Sequence, residues 1–154
     1  MDIEENYRLH LEKKERMQIK IKRLSPSAVI PTYAKDGDAG MDLVATTIVN
    51  EEAFQITYGL GVAMEIPYGF VGLVFPRSSI RKYDLSLTNC VGVIDSGYRG
   101  ELQATFKRNG LTKYAVGDKV CQIMIIPHPT IQFIEVDELT NTERGEGGFG
   151  STGK

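Results

Sequence analysis

The sequence predicts an all-β domain, a sandwich or barrel of short strands, and three observations carry that prediction. From Met17 onward the apolar residues fall in short runs rich in β-branched and aromatic side chains. These runs are separated by turn-forming pieces, namely Pro67-Tyr68-Gly69, Asn109-Gly110 and Val116-Gly117-Asp118. In such pieces proline fixes φ, glycine admits positive φ, and Asn or Asp bonds its own backbone. No helical period of useful length interrupts the body, which excludes alternating βαβ units.

Taken in chain order, Ile3, Tyr7 and Leu11 recur at helical spacing among charges, which suits a short amphipathic helix. Residues 1–16 form an extension that either packs on the body or stays loosely ordered. MQIKIKRL, at 17–24, alternates apolar and polar residues like a half-buried strand. Further strands are expected at 54–58, 61–66, 70–75, 85–88, 101–107, 119–126 and 131–136, and another β-run ends at Ile94. Only 79–84 offers a single helical turn. No internal repeat appears, and the only low-complexity piece is the tail.

A content of 42% hydrophobic and 25% charged residues over 154 residues suits one domain with its own core. A net charge of -2 and a pI near 5.7 provide no general attraction for polyanions, so nucleic acid and membrane surfaces are not expected partners. A small anionic ligand needs only local donors and stays open. Cys90 and Cys121 cannot make a disulfide scaffold and read as two small buried thiols in a reducing compartment. His10 and His128 lack partners at zinc-ligand spacing. Residues 1–16 contain no apolar signal region, and the longest apolar stretch, 123–127, cannot span a bilayer. The expected location is cytoplasmic.

The tail RGEGGFGSTGK, at 144–154, holds five glycines among eleven residues, so its backbone N–H groups can bend around an anion. Arg144, Ser151, Thr152 and Lys154 add donors for phosphate oxygens. Phe149 is out of place in a polar tail unless it covers a flat ring. Gly145, Gly147 and Gly150 match a dinucleotide-loop spacing, and 148–154 matches part of a Walker loop. Both mechanisms require a following helix, and the given sequence stops at Lys154, so both matches are rejected. GVIDSGYRGE, at 92–101, turns at Ser96-Gly97 and would place Asp95 and Tyr98 at the mouth of a pocket. A carboxylate there can orient a water and accept its proton; a lone Asp beside a turn can equally be a cap. Pro76-Arg77-Ser78-Ser79 ends a strand with a cation and two hydroxyls, and Asp38 and Asp42 flank Gly40. Each of these clusters is weak alone.

Together and in this order they resemble the homotrimeric dUTP diphosphatases. The resemblance rests on DAGMDL (38–43), PRSS (76–79), the segment 89–101, GDKVCQ (117–122) and RGEGGFGSTG (144–153), and covers residues 17–154. It implies a jelly-roll-like distorted β-barrel in three parts: the extension 1–16, a catalytic barrel 17–137, and an arm 138–154 closing over a neighbouring subunit's site. It also implies a homotrimer that hydrolyses dUTP to dUMP and pyrophosphate with Mg2+, limiting uracil incorporation into DNA and supplying dUMP for thymidylate synthesis. By resemblance Asp95 orients the attacking water, and Tyr98 packs under the deoxyribose and excludes a 2′-hydroxyl. Asn89 with the backbone of Gly92, Val93 and Ile94 reads uracil. Arg77, Ser78, Ser79, Gln122, Arg144, Gly150, Ser151 and Thr152 hold the phosphates, while Phe149 stacks on the base. Asp42 meets Mg2+ through water, the metal being held mainly by the triphosphate.

One rival shares these motifs. dCTP deaminases carry a similar Arg-Ser-Ser segment, with Trp where Tyr98 stands and a catalytic Glu seven residues later, where this chain has Thr105. A non-catalytic binding protein on the same trimer would be expected to have lost Asp95, Arg77 or the tail. None is missing.

Overall fold

A computed structural model of the chain describes residues 16–148. In chain order it contains β1 (Lys20–Arg23), β2 (Met41–Val44), β3 (Thr47–Glu51), β4 (Gln55–Gly59) and β5 (Val62–Glu65). These are followed by β6 (Phe70–Pro76), a 3-10 turn at Ser78–Lys82, β7 (Leu85–Leu87), β8 (Gly92–Ile94), β9 (Gln103–Arg108) and β10 (Lys119–Pro127). Two four-stranded sheets, ordered β2-β10-β6-β8 and β3-β4-β9-β7, are joined by a two-stranded β1-β5 ribbon. Every pairing is antiparallel.

Strand alternation explains the core. Leu43, Val74, Val120 and Ile123 from the first sheet join Ile56, Tyr58, Leu85, Leu87, Ala104 and Phe106 from the second in one buried cluster. The rings of Tyr58, Phe106 and Tyr114 meet at its centre with centroid separations of 5.9, 6.3 and 5.7 Å, two edge-to-face and one tilted. The Tyr58 hydroxyl donates to the Tyr114 carbonyl at 2.8 Å, so this buried phenol is satisfied.

Strand boundaries follow the expected ones closely, with informative exceptions. β2 and β3 lie in MDLVATTIVNE, where no glycine or proline marks the corner. The corner is made by tertiary bonds: Ala45 N–H donates to the Asp118 carbonyl at 2.9 Å and Thr46 N–H to the Gly59 carbonyl at 2.8 Å. Residues 131–136 form no strand, although their alternation suits one. Ile131, Phe133, Ile134 and Val136 are exposed, and a strand needs a partner edge that the described residues do not give them. Of the two thiols expected to be buried, only Cys121 is, and burial pushes it up to about 12. Cys90 is exposed on the β7–β8 turn at φ +61°. The expected helix around Ile3, Tyr7 and Leu11 lies outside the described residues. No helix among them is long and apolar enough to cross a membrane.

Gly61, between β4 and β5, has φ +69°, and a Cβ there would come within 2.7 Å of Thr46 Cγ2 and 3.0 Å of Ala28 Cβ. Gly37 has φ +87° but open space around it. Gly37→Ala is therefore expected to lose only backbone strain, about 1–2 kcal/mol. Gly61→Ala adds overpacking and should lose about 2–5 kcal/mol. Urea midpoints at unchanged m-value check the difference; equal losses would refute the steric argument.

Candidate functional site

The register of three strands assembles the first half of the site. β10 lies between β2 and β6, and Gln122 stands opposite Asp42 on one side and Phe75 on the other. Beside it β6 ends at Pro76 and the chain turns into the 3-10 segment, where Ile80 N–H donates to the Arg77 carbonyl at 3.0 Å. The result is a cavity of about 560 Å3 whose walls include Asp38, Gly40, Asp42, Arg77, Ser78 and Gln122. Gln122 Nε2 donates to the Pro76 carbonyl at 3.0 Å. A Cβ at Gly40 would come within 2.5 Å of Gln122 Oε1, so a side chain there would displace the Gln122 amide.

The charges are arranged around Asp42. Arg77 Nε donates to Asp42 Oδ1 at 2.7 Å, and Lys119 Nζ lies 2.8 Å from Asp42 Oδ2. Burial works to raise the Asp42 carboxyl, but Lys119 and Arg77 outweigh it and hold it below the usual value. Arg77 lines the cavity and Lys119 does not, and Asp38 balances the second cation, so a polyanion there depends on local donors, namely the Arg77 guanidinium, the Ser78 hydroxyl and the Gln122 amide. Arg77 Nη1 donates to Ser79 Oγ at 3.3 Å and to the Lys119 carbonyl at 3.4 Å. Lys119 was not among the residues expected from sequence. Its relevance depends on β10 register, which one sequence does not display.

The second half is the hairpin after β8. Tyr98 N–H donates to the Asp95 carbonyl at 3.1 Å, closing the expected turn. The Tyr98 hydroxyl donates to the Glu101 carbonyl at 2.9 Å, and its ring folds over Gly100, where a Cβ would displace it. Asp95 is exposed, and its carboxylate accepts no hydrogen bond among the described residues. Asn89 is exposed and Gly92 is buried against Val74. β8 is an edge strand, its outer side paired with no strand among the described residues. A separate cavity of about 480 Å3, with walls including Lys20, Glu65, Ser96 and Arg99, lies behind the hairpin.

The two halves do not meet within one chain. β8 pairs with β6 so that Ile94 is opposite Gly72 and Gly92 opposite Val74. Asp95 therefore lies near the level of Val71, toward the start of β6, whereas Arg77 lies beyond its end. The six steps from Val71 to Arg77 span roughly 20 Å at about 3.3 Å per residue. Arg144 is in an exposed turn, its Nε donating to the Gly147 carbonyl at 2.9 Å. Phe149, Gly150, Ser151 and Thr152 lie outside the described residues.

No cluster of three or more His, Cys, Asp or Glu able to hold a metal occurs among the described residues. A cation chelated mainly by phosphates needs only one or two carboxylates, often through water. Asp38 and Asp42 on the cavity wall fit that requirement. Asp42, already engaged by two cations, suits a water-mediated contact.

The comparisons with known proteins agree with one another. The family model described as dUTPase matches residues 27–153. The deoxyuridine 5'-triphosphate nucleotidohydrolase of Thermobifida fusca (strain YX) is 37% identical over 142 residues, covering 89% of this chain and 79% of its own length. The dUTPase of Staphylococcus bacteriophage 80alpha, solved with dUPNHPP, superposes with a TM-score of 0.78 at 27% identity, covering 89% of this chain and 99% of that one. A mutant dUTPase from phage phi11 of S. aureus, solved with a structural Mg(II) ion, gives a TM-score of 0.68 at 26% identity over 79% and 98%. A matching family model over most of the chain and a relative of this identity place it: the chain belongs to the dUTPase family.

Proposed function

We propose that the protein hydrolyses dUTP to dUMP and pyrophosphate. The observation that carries this reading is the cavity wall on which Arg77, Ser78 and Gln122 stand together as phosphate donors beside Asp42 in a member of the dUTPase family. Phosphoryl-type substitution asks little covalent chemistry of a protein; it asks for in-line positioning and charge neutralisation. Arg77, Ser78, Ser79 and Gln122 bind the phosphates, and Asp95 orients a water toward the α-phosphorus. The new P–O bond forms as the α–β bridging bond breaks, pyrophosphate leaves, and the water's proton passes to the Asp95 carboxylate. Mg2+ would supply charge neutralisation on the triphosphate when bound, and Asp42 would help to hold it through water.

Uracil recognition falls to the free edge of β8. The backbone of Gly92, Val93 and Ile94, with the Asn89 amide, pairs with the base, and Tyr98 packs beneath the deoxyribose and leaves no room for a 2′-hydroxyl. The roughly 20 Å between Arg77 and Asp95 within one chain supports sites shared between copies, as in a homotrimer. The arm 138–154, with Arg144, Phe149, Gly150, Ser151 and Thr152, then closes a neighbour's site. We assign residues 1–16 to an N-terminal extension and 17–137 to the catalytic barrel. We place the protein in the cytoplasm.

Pyrophosphate release with Mg2+ across dUTP, dTTP, dCTP and UTP tests the reading. We expect dUTP to be strongly preferred, with dTTP rejected less completely than dCTP. Excluding one methyl contributes only about 1–3 kcal/mol, whereas unmade hydrogen bonds discriminate further. Equal rates on all four would refute the proposal. dCTP is expected to survive without deamination: Thr105, where a deaminase has its Glu, shares a 2.9 Å hydrogen bond with Thr57 inside the β4–β9 pair.

A further inference from the structure

Arg99 follows directly on the turn that carries Asp95 and Tyr98, and its side chain folds back over that turn. Its Nη1 donates to the Ser96 carbonyl at 2.6 Å and to the Tyr98 carbonyl at 3.0 Å. Nη1 bears two hydrogens, so one nitrogen serves both carbonyls. Neither carbonyl accepts another hydrogen bond among the described residues. Without Arg99 the turn would keep one bond across it, from Tyr98 N–H to the Asp95 carbonyl at 3.1 Å. Packing does not hold the apex either, since a Cβ at Gly97 would meet nothing within 4 Å. Asp95 is exposed, and its carboxylate is bonded to none of the described residues, so its aim is set by the backbone that bears it. On its far side Arg99 Nη2 lies 3.6 Å from Glu65 Oε1, and Glu65 Oε2 lies 3.0 Å from Lys20 Nζ. These charges lead from the turn to the β1–β5 ribbon, outside the sheet to which β8 belongs. The Arg99–Glu65 pair is long and its side chains are 53% and 44% exposed, so it adds little by itself. The charge-assisted bonds to the two carbonyls are the stronger hold.

We propose that Arg99 is a positioning residue for the hydrolysis: by bridging the Ser96 and Tyr98 carbonyls it fixes the turn that aims Asp95 at the attacking water. In-line attack tolerates little misplacement of the group that orients the nucleophile. Substrate binding is spared, because β8 is held by its pairing with β6 and the Tyr98 ring by its hydroxyl on the Glu101 carbonyl. The signature of this role is a lower kcat with ground-state affinity nearly unchanged.

The proposal rests on the reading of Asp95 as the water-orienting group. Arg99→Met keeps an unbranched stem and removes the donors. It is compared with Glu65→Gln, Asp95→Asn and the Arg99→Met, Asp95→Asn double variant by kcat for dUTP, Kd for dUpNHpp and thermal midpoint. Arg99→Met is expected to lower kcat about tenfold to thirtyfold, with Kd within about threefold and the thermal midpoint unchanged. Glu65→Gln leaves Arg99 on both carbonyls and should lower kcat less than about twofold. In the Asp95→Asn background Arg99→Met should also lower kcat less than about twofold, because nothing is left to aim. An undiminished kcat in Arg99→Met, or the same fold-loss with and without Asp95, would overturn the proposal while Asp95 keeps its role. A Glu65→Gln loss as large as that of Arg99→Met would overturn the assignment to the carbonyl bonds. Full kcat in Asp95→Asn would instead remove the Asp95 reading, and the proposal with it.

Discussion

Asp95→Asn is expected to lower kcat for dUTP about a thousandfold while affinity for dUpNHpp stays within about threefold. The substitution keeps size and shape and removes the capacity to take a proton from the attacking water. Asp95 is exposed and its carboxylate accepts no hydrogen bond among the described residues, so it serves no visible structural purpose. The turn it opens is held by backbone, through Tyr98 N–H on the Asp95 carbonyl, and survives the change. Stability should therefore move by less than about 0.5 kcal/mol. The α,β-imido link of dUpNHpp resists cleavage, so its Kd reports phosphate and base contacts alone. An undiminished kcat would remove Asp95 from the mechanism. A lost affinity with normal kcat would make it a binding group instead.

How much of this could be read beforehand depends on the kind of information each residue carries. The strands with clear alternation and glycine or proline at their ends, such as β6 before Arg77 and β10 after Gly117, were legible because period and punctuation are local. Asp42, Arg77 and Gln122 were legible as members of motifs, and one cavity wall brings them together. Lys119, inside GDKVCQ, carried no expected role. Its contact with Asp42 follows from strand register, and a one-residue slip of β10 would send it away. The corner at Ala45-Thr46 escaped notice because tertiary bonds to Asp118 and Gly59 make it, rather than turn chemistry. Residues 131–136 mislead in the opposite direction. Their pattern is that of a strand, and the described residues contain no edge to receive it. The same limit applies to the separation of the hairpin from the Arg77 cavity, since no local pattern states how far apart two motifs fold.

That separation yields the other large expected effect. Arg77→Ala and Asp95→Ala, each nearly inactive alone, are expected to restore activity when co-expressed with different tags and purified as mixed assemblies. In a cyclic trimer whose sites take Arg77 from one copy and Asp95 from the next, every two-to-one mixture contains a single intact site, so mixed trimers should show about one third of wild-type turnover. The figure follows from symmetry alone and is insensitive to how severe each variant is. It arises because Arg77 lies beyond the end of β6 while Asp95 lies near its start, a spacing that loop adjustment cannot close without breaking the β6–β8 pairing from Gly72 to Val74. If both groups served one site within a single chain, no mixture could bring an intact Arg77 and an intact Asp95 together. Mixed trimers as inactive as their parents would then show that the Arg77 cavity and the hairpin act within one copy.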